Sequence, residues 1–223
     1  MEQHAVKIKL VENATHDVLR IVLEKPGKYI FTPGQATEIS INKDGWIKEK
    51  RPFTFTSLPD NADLEFTIKT YPSHQGVTNE LLKLKPGDEL LVGDSWGTIG
   101  YKGVGTFIAG GAGVTPFISI FRYLHSKNEI GDNKLIFANK TKADIINKDE
   151  FEKILGKNFI NILSDEKTEE QAHGFITEEF LKKSGIDLNR HFYVCGPSPM
   201  MDAIEKLLLN LNIDQKLIVK EEF

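Results

Sequence analysis

The stretch GVGTFIAGGAGVTPFISIF, residues 103–121, decides how this chain folds. It carries no charged side chain, and its length approaches the ~20 apolar residues that cross a bilayer. Yet Gly110, Gly111 and Gly113 fall in its middle, where they would break a spanning helix. The reading that fits is a buried strand, a glycine turn and then a helix. TFIAG (106–110) is the strand, and Phe117, Ile120, Phe121 and Leu124 recur at the i, i+3, i+4, i+7 spacing of a helical face. Thr115 before Pro116 has the chemistry of an N-cap followed by a first helical residue, which would turn free backbone N–H groups toward the glycines.

Toward the C-terminus the same alternation continues. KLIFANK (134–140), NFINILS (158–164) and RHFYVCG (190–196) are apolar strands, KLIVKEEF (216–223) is a fifth, and Met201, Ile204, Leu208 and Leu211 mark a second helix. Strand alternating with helix implies a doubly wound parallel sheet covered on both faces. Toward the N-terminus the pattern differs. VKIKLVE (6–12), DVLRIVLE (17–24), ATEISIN (36–42), RPFTFTS (51–57), DLEFTIKTY (63–71) and DELLVGD (88–94) are short alternating runs separated by Pro-Gly, Asp-Gly and Pro-Asp turns. They predict an antiparallel β-barrel, with GVTNELLKL (76–84) as one short helix stopped by Pro86. The expected organisation is therefore two-domain: an N-terminal β-barrel over 1–102 and a C-terminal α/β doubly wound domain over 103–223.

Composition narrows the function. A length of 223 residues suits one or two domains. A net charge of −4 supplies no broad basic field, so nucleic acid is not an expected partner. The single cysteine, Cys195, excludes an intramolecular disulfide and an iron–sulfur cluster held by four cysteines of this chain. No leader pattern opens the sequence and no membrane span is expected, so the expected location is cytoplasmic.

Three motifs carry chemistry. Gly110-Gly-Ala-Gly113 between strand and helix lets a phosphate approach backbone N–H groups, although the spacing is not G-x-G-x-x-G and a plain tight turn reads equally well. His191-Phe-Tyr-Val-Cys-Gly-Pro197 is a strand ending in a turn, with Ser198-Pro199 capping the next helix. In an open α/β sheet, ligands bind outside the carboxyl ends of strands, so Gly110 and Cys195 can face one crevice; a lone cysteine there is also an ordinary small hydrophobe. In Arg51-Pro-Phe-Thr-Phe-Thr-Ser57, alternation puts Arg51, Phe53, Phe55 and Ser57 on one side and Pro52, Thr54 and Thr56 on the other. An arginine matches a diphosphate with paired donors, but a half-buried strand opened by a surface arginine is the plainer reading.

Read in order, RPFTFTS, GVTNEL, AGGAGVTPF, YVCGPSPMM and a terminal Glu-Glu-Phe resemble the ferredoxin–NADP reductase superfamily, in particular its compact flavodoxin-reductase-like FAD-dependent members. The resemblance spans nearly the whole chain. It implies that Arg51 binds the FAD diphosphate, that Phe53 lies against the flavin and ribityl chain, and that Thr54 places a hydroxyl near flavin N5. Phe53 stands where the family more often has tyrosine, so a phenol donor is missing. Gly76, Val77 and Thr78 match the family's diphosphate-binding helix start, with Lys69 and Tyr71 as adenine or ribityl contacts or else as a solvated strand face. Gly110, Gly111, Gly113, Val114, Thr115 and Pro116 match its nicotinamide-dinucleotide loop. Cys195, Gly196 and Pro197 match its Cys-Gly-Pro element beside the nicotinamide, and Glu221 and Phe223 its terminal Glu-x-aromatic pattern. Asn139 and Asp144, in FANKTKADII (137–146), resemble the pattern of NADH-using members. Asp144 would repel a 2′-phosphate while Lys140 and Lys142 would attract one, so NADH is favoured and NADPH stays open.

The resemblance thus implies an NAD(P)H-dependent flavin oxidoreductase that passes a hydride to FAD and electrons to a separate acceptor such as flavodoxin or ferredoxin. In that arrangement Thr54, Cys195, Glu221 and Phe223 tune the reacting geometry, and no metal is called for. Two alternatives stay open: a flavin reductase that releases reduced free flavin, and an FAD-binding electron-transfer subunit of a larger complex. The oligomeric state is left open.

Overall fold

The computed structural model describes residues 3–97 and 99–220. Glu221 and Phe223 lie outside the described residues. The chain divides into two compact units: the residues up to Gly100 together with Thr115–Tyr123, and Tyr101–Val114 together with the residues from Leu124 on.

The first unit holds six antiparallel strands among the described residues: β1 (His4–Thr15), β2 (Val18–Glu24), β3 (Ala36–Ile41), β4 (Arg51–Thr54), β5 (Asp63–Lys69) and β6 (Glu89–Trp96). Their order is β4-β3-β6-β1-β2-β5, and an antiparallel bridge between Phe55 and Phe66 joins the two ends of that order into a barrel. The core is packed with alternating apolar residues such as Ile21, Leu23, Ile39, Phe66 and Val92. Phe55 sits at its centre, stacked on Phe31 at 4.2 Å between centroids. The expected strand 51–57 therefore stops at Thr54, because the chain turns inward there to seat Phe55. The helix expected over 76–84 is one α turn, α1 (Val77–Glu80), followed by a 3-10 turn over Leu81–Lys83.

Among the described residues the second unit holds six parallel strands: β7 (Gly105–Gly110), β8 (Lys134–Asn139), β9 (Phe159–Leu163), β10 (Ala172–His173), β11 (His191–Cys195) and β12 (Ile218–Lys220). The order is β10-β9-β8-β7-β11-β12. From β7 the chain steps outward through β8, β9 and β10, then returns to β7's other side as β11. Connections leaving β7 and β11 thus run in opposite directions, which makes their carboxyl ends the switch point of the sheet. The helices that follow the strands are α2 (Thr115–Ser126), α3 (Lys148–Leu155), α4 (Glu178–Lys183) and α5 (Ser198–Asn210). Ile108, Ile136, Phe192 and Val194 on one face of the sheet share a core with Leu181 of α4 and with Ile204 and Leu208 of α5. Phe137 on the other face meets Phe151 of α3 edge to face.

The start of β7 is pinned from inside this unit. The Tyr193 hydroxyl accepts from the N–H of Lys102 at 2.8 Å and donates to the carbonyl of Gly103 at 2.7 Å. Burial pushes that phenol up to about 12, so it stays a neutral donor at physiological pH. No helix among the described residues is long and apolar enough to cross a membrane.

Candidate functional site

At the switch point, Ala109 of β7 pairs with Cys195 of β11, so the turns that follow these strands lie side by side. Their glycines are required by that closeness. A Cβ on Gly113 would stand 2.3 Å from the Cys195 carbonyl oxygen and 2.5 Å from the Gly196 nitrogen, both backbone atoms. One on Gly110 would meet the Met200 sulfur at 2.3 Å and Pro197 Cδ at 3.1 Å. Gly111 differs: its φ is +51° and the space beside it is open. Of the three, only Gly111 leaves its outer side clear for a ligand; Gly110 and Gly113 serve packing between the turns.

Two capping assignments are corrected here. Gly111–Val114 form a 3-10 turn that runs without a break into α2, so Thr115 is the first residue of the α-helix and not its N-cap. Pro116 keeps a first-turn place, where a missing N–H costs nothing. At the second turn the N-cap is Pro197, and Ser198 is already helical with Pro199 behind it. In both places the helix begins earlier than its cap chemistry suggested, inside the turn itself. The backbone N–H groups of its first turn therefore belong to the turn residues.

Beside the glycine turn, Ala138 of β8 pairs with Gly110, and Asn139 lies one residue farther along. Asn139 is 8% exposed, and neither polar atom of its amide has a hydrogen-bond partner among the described residues. Sequestering such an amide unpaired costs a few kcal/mol. A polar ligand at this strand end would supply the missing donor and acceptor. Asp144 is engaged locally, where its Oδ2 accepts from the Thr141 N–H at 2.8 Å and from the Thr141 hydroxyl at 2.7 Å, closing a capping box on the 3-10 turn Lys142–Asp144. Two carboxylates that sequence reasoning passed over stand close by. Asp165 donates its N–H to the Lys140 carbonyl at 2.9 Å, and Glu166 Oε2 accepts from the Lys142 N–H at 2.6 Å.

In the barrel unit, Arg51 is half exposed at the start of β4, with Nη1 on its neighbour's carbonyl at 2.6 Å and Nη2 3.6 Å from Glu49. Phe53 packs against the barrel core, and Thr54, half buried, ends the strand opposite Ala36. Gly76 is the N-cap of α1 and offers no side-chain cap; Val77 is buried and Thr78 half buried. Lys69 is paired with Asp17 at 2.6 Å, and Tyr71, 44% exposed, stacks on His74. The structure brings Gly110–Val114, Asn139 and Cys195–Pro197 together in one unit, and Arg51, Phe53, Thr54 and Gly76–Thr78 lie in the other.

The largest feature that sequence reasoning missed is a buried ionic cluster in the barrel unit. Glu65, 9% exposed, accepts at Oε1 from Arg122 at 2.5 Å and from the Thr56 hydroxyl at 3.0 Å. Its Oε2 faces Arg20 at 2.7 Å, and Arg20 also bonds Glu12. Burial pushes this carboxyl upward, but Arg122 and Arg20 outweigh it and hold it below the usual glutamate range.

Comparison with known proteins identifies both units. Residues 3–90 match the family model of an FAD-binding domain, and residues 107–206 that of an oxidoreductase NAD-binding domain. The fold matches the flavohaem-like FAD/NAD-binding domain of nitric oxide dioxygenase from Vibrio cholerae, with a TM-score of 0.88 at 20% identity over 98% of each chain. It also matches a ferredoxin NADP+ reductase from Neisseria gonorrhoeae, with a TM-score of 0.85 at 18% identity over 99% of this chain and 98% of that one. The chain's two domains belong to those two families, an FAD-binding domain followed by an oxidoreductase NAD-binding domain. Among curated proteins, this chain is 30% identical to the reductase component of propane 2-monooxygenase from Mycolicibacterium goodii, over 88% of this chain and 61% of that protein. The chain spans about three fifths of the length of the monooxygenase reductase components it matches. The residues present suit the two cofactors that membership implies. The unpaired Asn139 amide and the open side of Gly111 suit a dinucleotide, while the half-exposed Arg51 fork and the uncapped start of α1 suit a diphosphate in the barrel unit.

Proposed function

We propose that this chain is an NAD(P)H-dependent flavin oxidoreductase that transfers a hydride from the nicotinamide to FAD and passes electrons to a separate acceptor such as flavodoxin or ferredoxin. The observation that carries this reading is the strand-end cluster, in which the turns at Gly110–Val114 and Cys195–Pro197 are packed together beside the unpaired Asn139 amide. Bound FAD supplies the conversion between a two-electron donor and one-electron acceptors.

In this reading the barrel, residues 1–102, holds FAD. Arg51 would hold the diphosphate with a guanidinium that now faces Glu49 and the Lys50 carbonyl. The N–H groups at Gly76, Val77 and Thr78 add to that neutralisation. Phe53 supports the ring system, and the Thr54 hydroxyl holds the hydrogen-bond position at flavin N5. Lys69 and Tyr71 border the adenine or ribityl end, Lys69 at the expense of its pairing with Asp17. In residues 103–223 the first-turn N–H groups of α2 meet the dinucleotide diphosphate. The buried Cys195 would present a small polarisable surface to the nicotinamide, and Glu221 and Phe223 would help tune the reacting geometry. Positioning is the chain's main contribution, because the hydride chemistry belongs to the cofactors. Thr54→Ala is expected to slow flavin reduction about tenfold, the value of one lost hydrogen bond to a charge-bearing centre, and to leave FAD content near normal. Equal losses in both would remove Thr54 from that role.

NADH is the preferred coenzyme in this reading. Support comes from the carboxylates of Asp144, Asp165 and Glu166 around the loop after β8, which disfavour a 2′-phosphate. Lys142 is already drawn toward Glu170 at 3.7 Å. Asp165→Ser is expected to raise kcat/KM for NADPH relative to NADH about tenfold. An unchanged ratio would take Asp165 out of the discrimination. The defining test is anaerobic reduction of the purified yellow protein by NADH and NADPH in parallel, followed by flavodoxin, ferredoxin or free flavin. Bleaching and then reoxidation by a protein carrier is the expected course; a protein that neither coenzyme bleaches would overturn the reading.

A further inference from the structure

We propose that Arg122 is a positioning residue for Thr54, acting by clamping the segment that follows β4. The inference rests on the flavin reading above. Thr56 lies two residues beyond Thr54, past the end of β4. The sheet ladder of β4 ends at Thr54, so what fixes the chain beyond it is the Phe55 N–H on the Gln35 carbonyl at 3.1 Å, the Phe55–Phe66 bridge and a set of polar bonds centred on Thr56. The Thr56 N–H donates to the Glu65 carbonyl at 2.8 Å, and its hydroxyl donates to Glu65 Oε1 at 3.0 Å and accepts from Thr67 at 3.3 Å. Its carbonyl accepts from Arg122 Nη1 at 2.7 Å. The same Nη1 reaches Glu65 Oε1 at 2.5 Å, and the Ser57 hydroxyl accepts from the Glu65 N–H at 3.0 Å.

One guanidinium thus bonds both the backbone of Thr56 and the carboxylate that holds the Thr56 hydroxyl. The side chains of Arg122 and Glu65 are only 22% and 11% exposed, so water competes weakly for these bonds and their geometry is enforced. Phe55, the one residue between them, is fully buried and its N–H is held by the Gln35 carbonyl at 3.1 Å, so a shift of the Thr56 carbonyl is passed through a short, packed segment to Thr54. The guanidinium is a planar, preorganised fork; an ammonium at the same place keeps the charge but not that geometry. Glu65 keeps Arg20 as a partner when Arg122 is replaced, so the barrel retains half of its charge compensation.

The experiment uses the full chain with Arg122→Lys and Arg122→Met, and Glu12→Gln as a control that touches only the outer end of the cluster. In the apoprotein, amide hydrogen exchange at Thr56 is expected to quicken about tenfold in both Arg122 variants. With FAD bound, the rate of flavin reduction is expected to fall about tenfold, FAD affinity to change less than threefold, and the visible circular dichroism of the flavin to shift; lysine should not rescue. Glu12→Gln should match the wild type in all four. Unaltered Thr56 exchange, or faster exchange with an unaltered reduction rate per bound flavin, overturns the inference. Should Arg122→Met fail to fold, the isosteric Thr56→Val removes the hydroxyl arm and is judged by the same criteria. A wild type that neither coenzyme bleaches overturns the flavin reading and this inference with it; a bleached wild type with unaffected variants overturns the inference alone.

Discussion

Gly113→Ala is expected to destabilise the protein by about 1–3 kcal/mol and to raise the KM for the nicotinamide coenzyme about tenfold or more. The added Cβ would sit 2.3 Å from the Cys195 carbonyl oxygen and 2.5 Å from the Gly196 nitrogen, well inside ordinary contact distance. Both are backbone atoms at the end of β11, so relief requires one strand-end turn to move away from the other. That movement displaces the N–H groups at the start of α2, and binding weakens along with stability. Gly110→Ala should be milder, since the nearest obstacle is the flexible Met200 side chain. Gly111→Ala has open space and bears only the cost of a left-handed backbone, about 1–2 kcal/mol. Thermal melts of the three apoproteins, with coenzyme titrations, separate these cases. A Gly113→Ala protein that melts with the wild type would show that the turns are not in the contact described.

Glu65→Ala is expected to cost more, about 3–5 kcal/mol at pH 7, because it removes the buried carboxylate that Arg122 and Arg20 share. The loss should depend on pH in a definite direction. The folded-state pKa of Glu65 is depressed, so its stabilisation is fully present above the unfolded value, ~4.3, and disappears as pH falls through the lower folded value. Wild type and variant should therefore converge in stability under acid. Denaturant midpoints at pH 7 and at successively lower pH test this, and a gap that stays constant into acid would mean that the carboxylate's charge is not what stabilises the cluster.

That cluster marks the limit of what was legible in the chain itself. Alternation located the barrel strands and the main parallel strands, because each buries one or both faces and its apolar residues must repeat accordingly. Glu65 looked like the ordinary polar position of DLEFTIKTY. Its burial is decided by Arg20, Thr56 and Arg122, which come from three distant segments, and no local pattern encodes that meeting. β10 escaped because Ala172-His173 is too short to show a period. The caps at Thr115 and Ser198 were misplaced because glycine and proline turns coil into helix before the capping residue arrives. The glycine and Cys-Gly-Pro motifs, by contrast, were recognisable as strand-end turns and do lie against each other. Lys69, chosen only for its place in the sequence, is committed to Asp17.

The first unit is not a continuous length of chain: it includes Thr115–Tyr123 as well as the residues up to Gly100. Severing the polypeptide at residue 102 would remove Ser119, whose hydroxyl accepts the Gly34 N–H at 3.0 Å, together with Arg122. An excised barrel would begin its life with a bare amide and a half-neutralised glutamate in its interior. Dissection into autonomous halves therefore has to follow spatial rather than linear boundaries, for instance by grafting the sequence of the first turns of α2 onto the barrel fragment or supplying them as a peptide in trans.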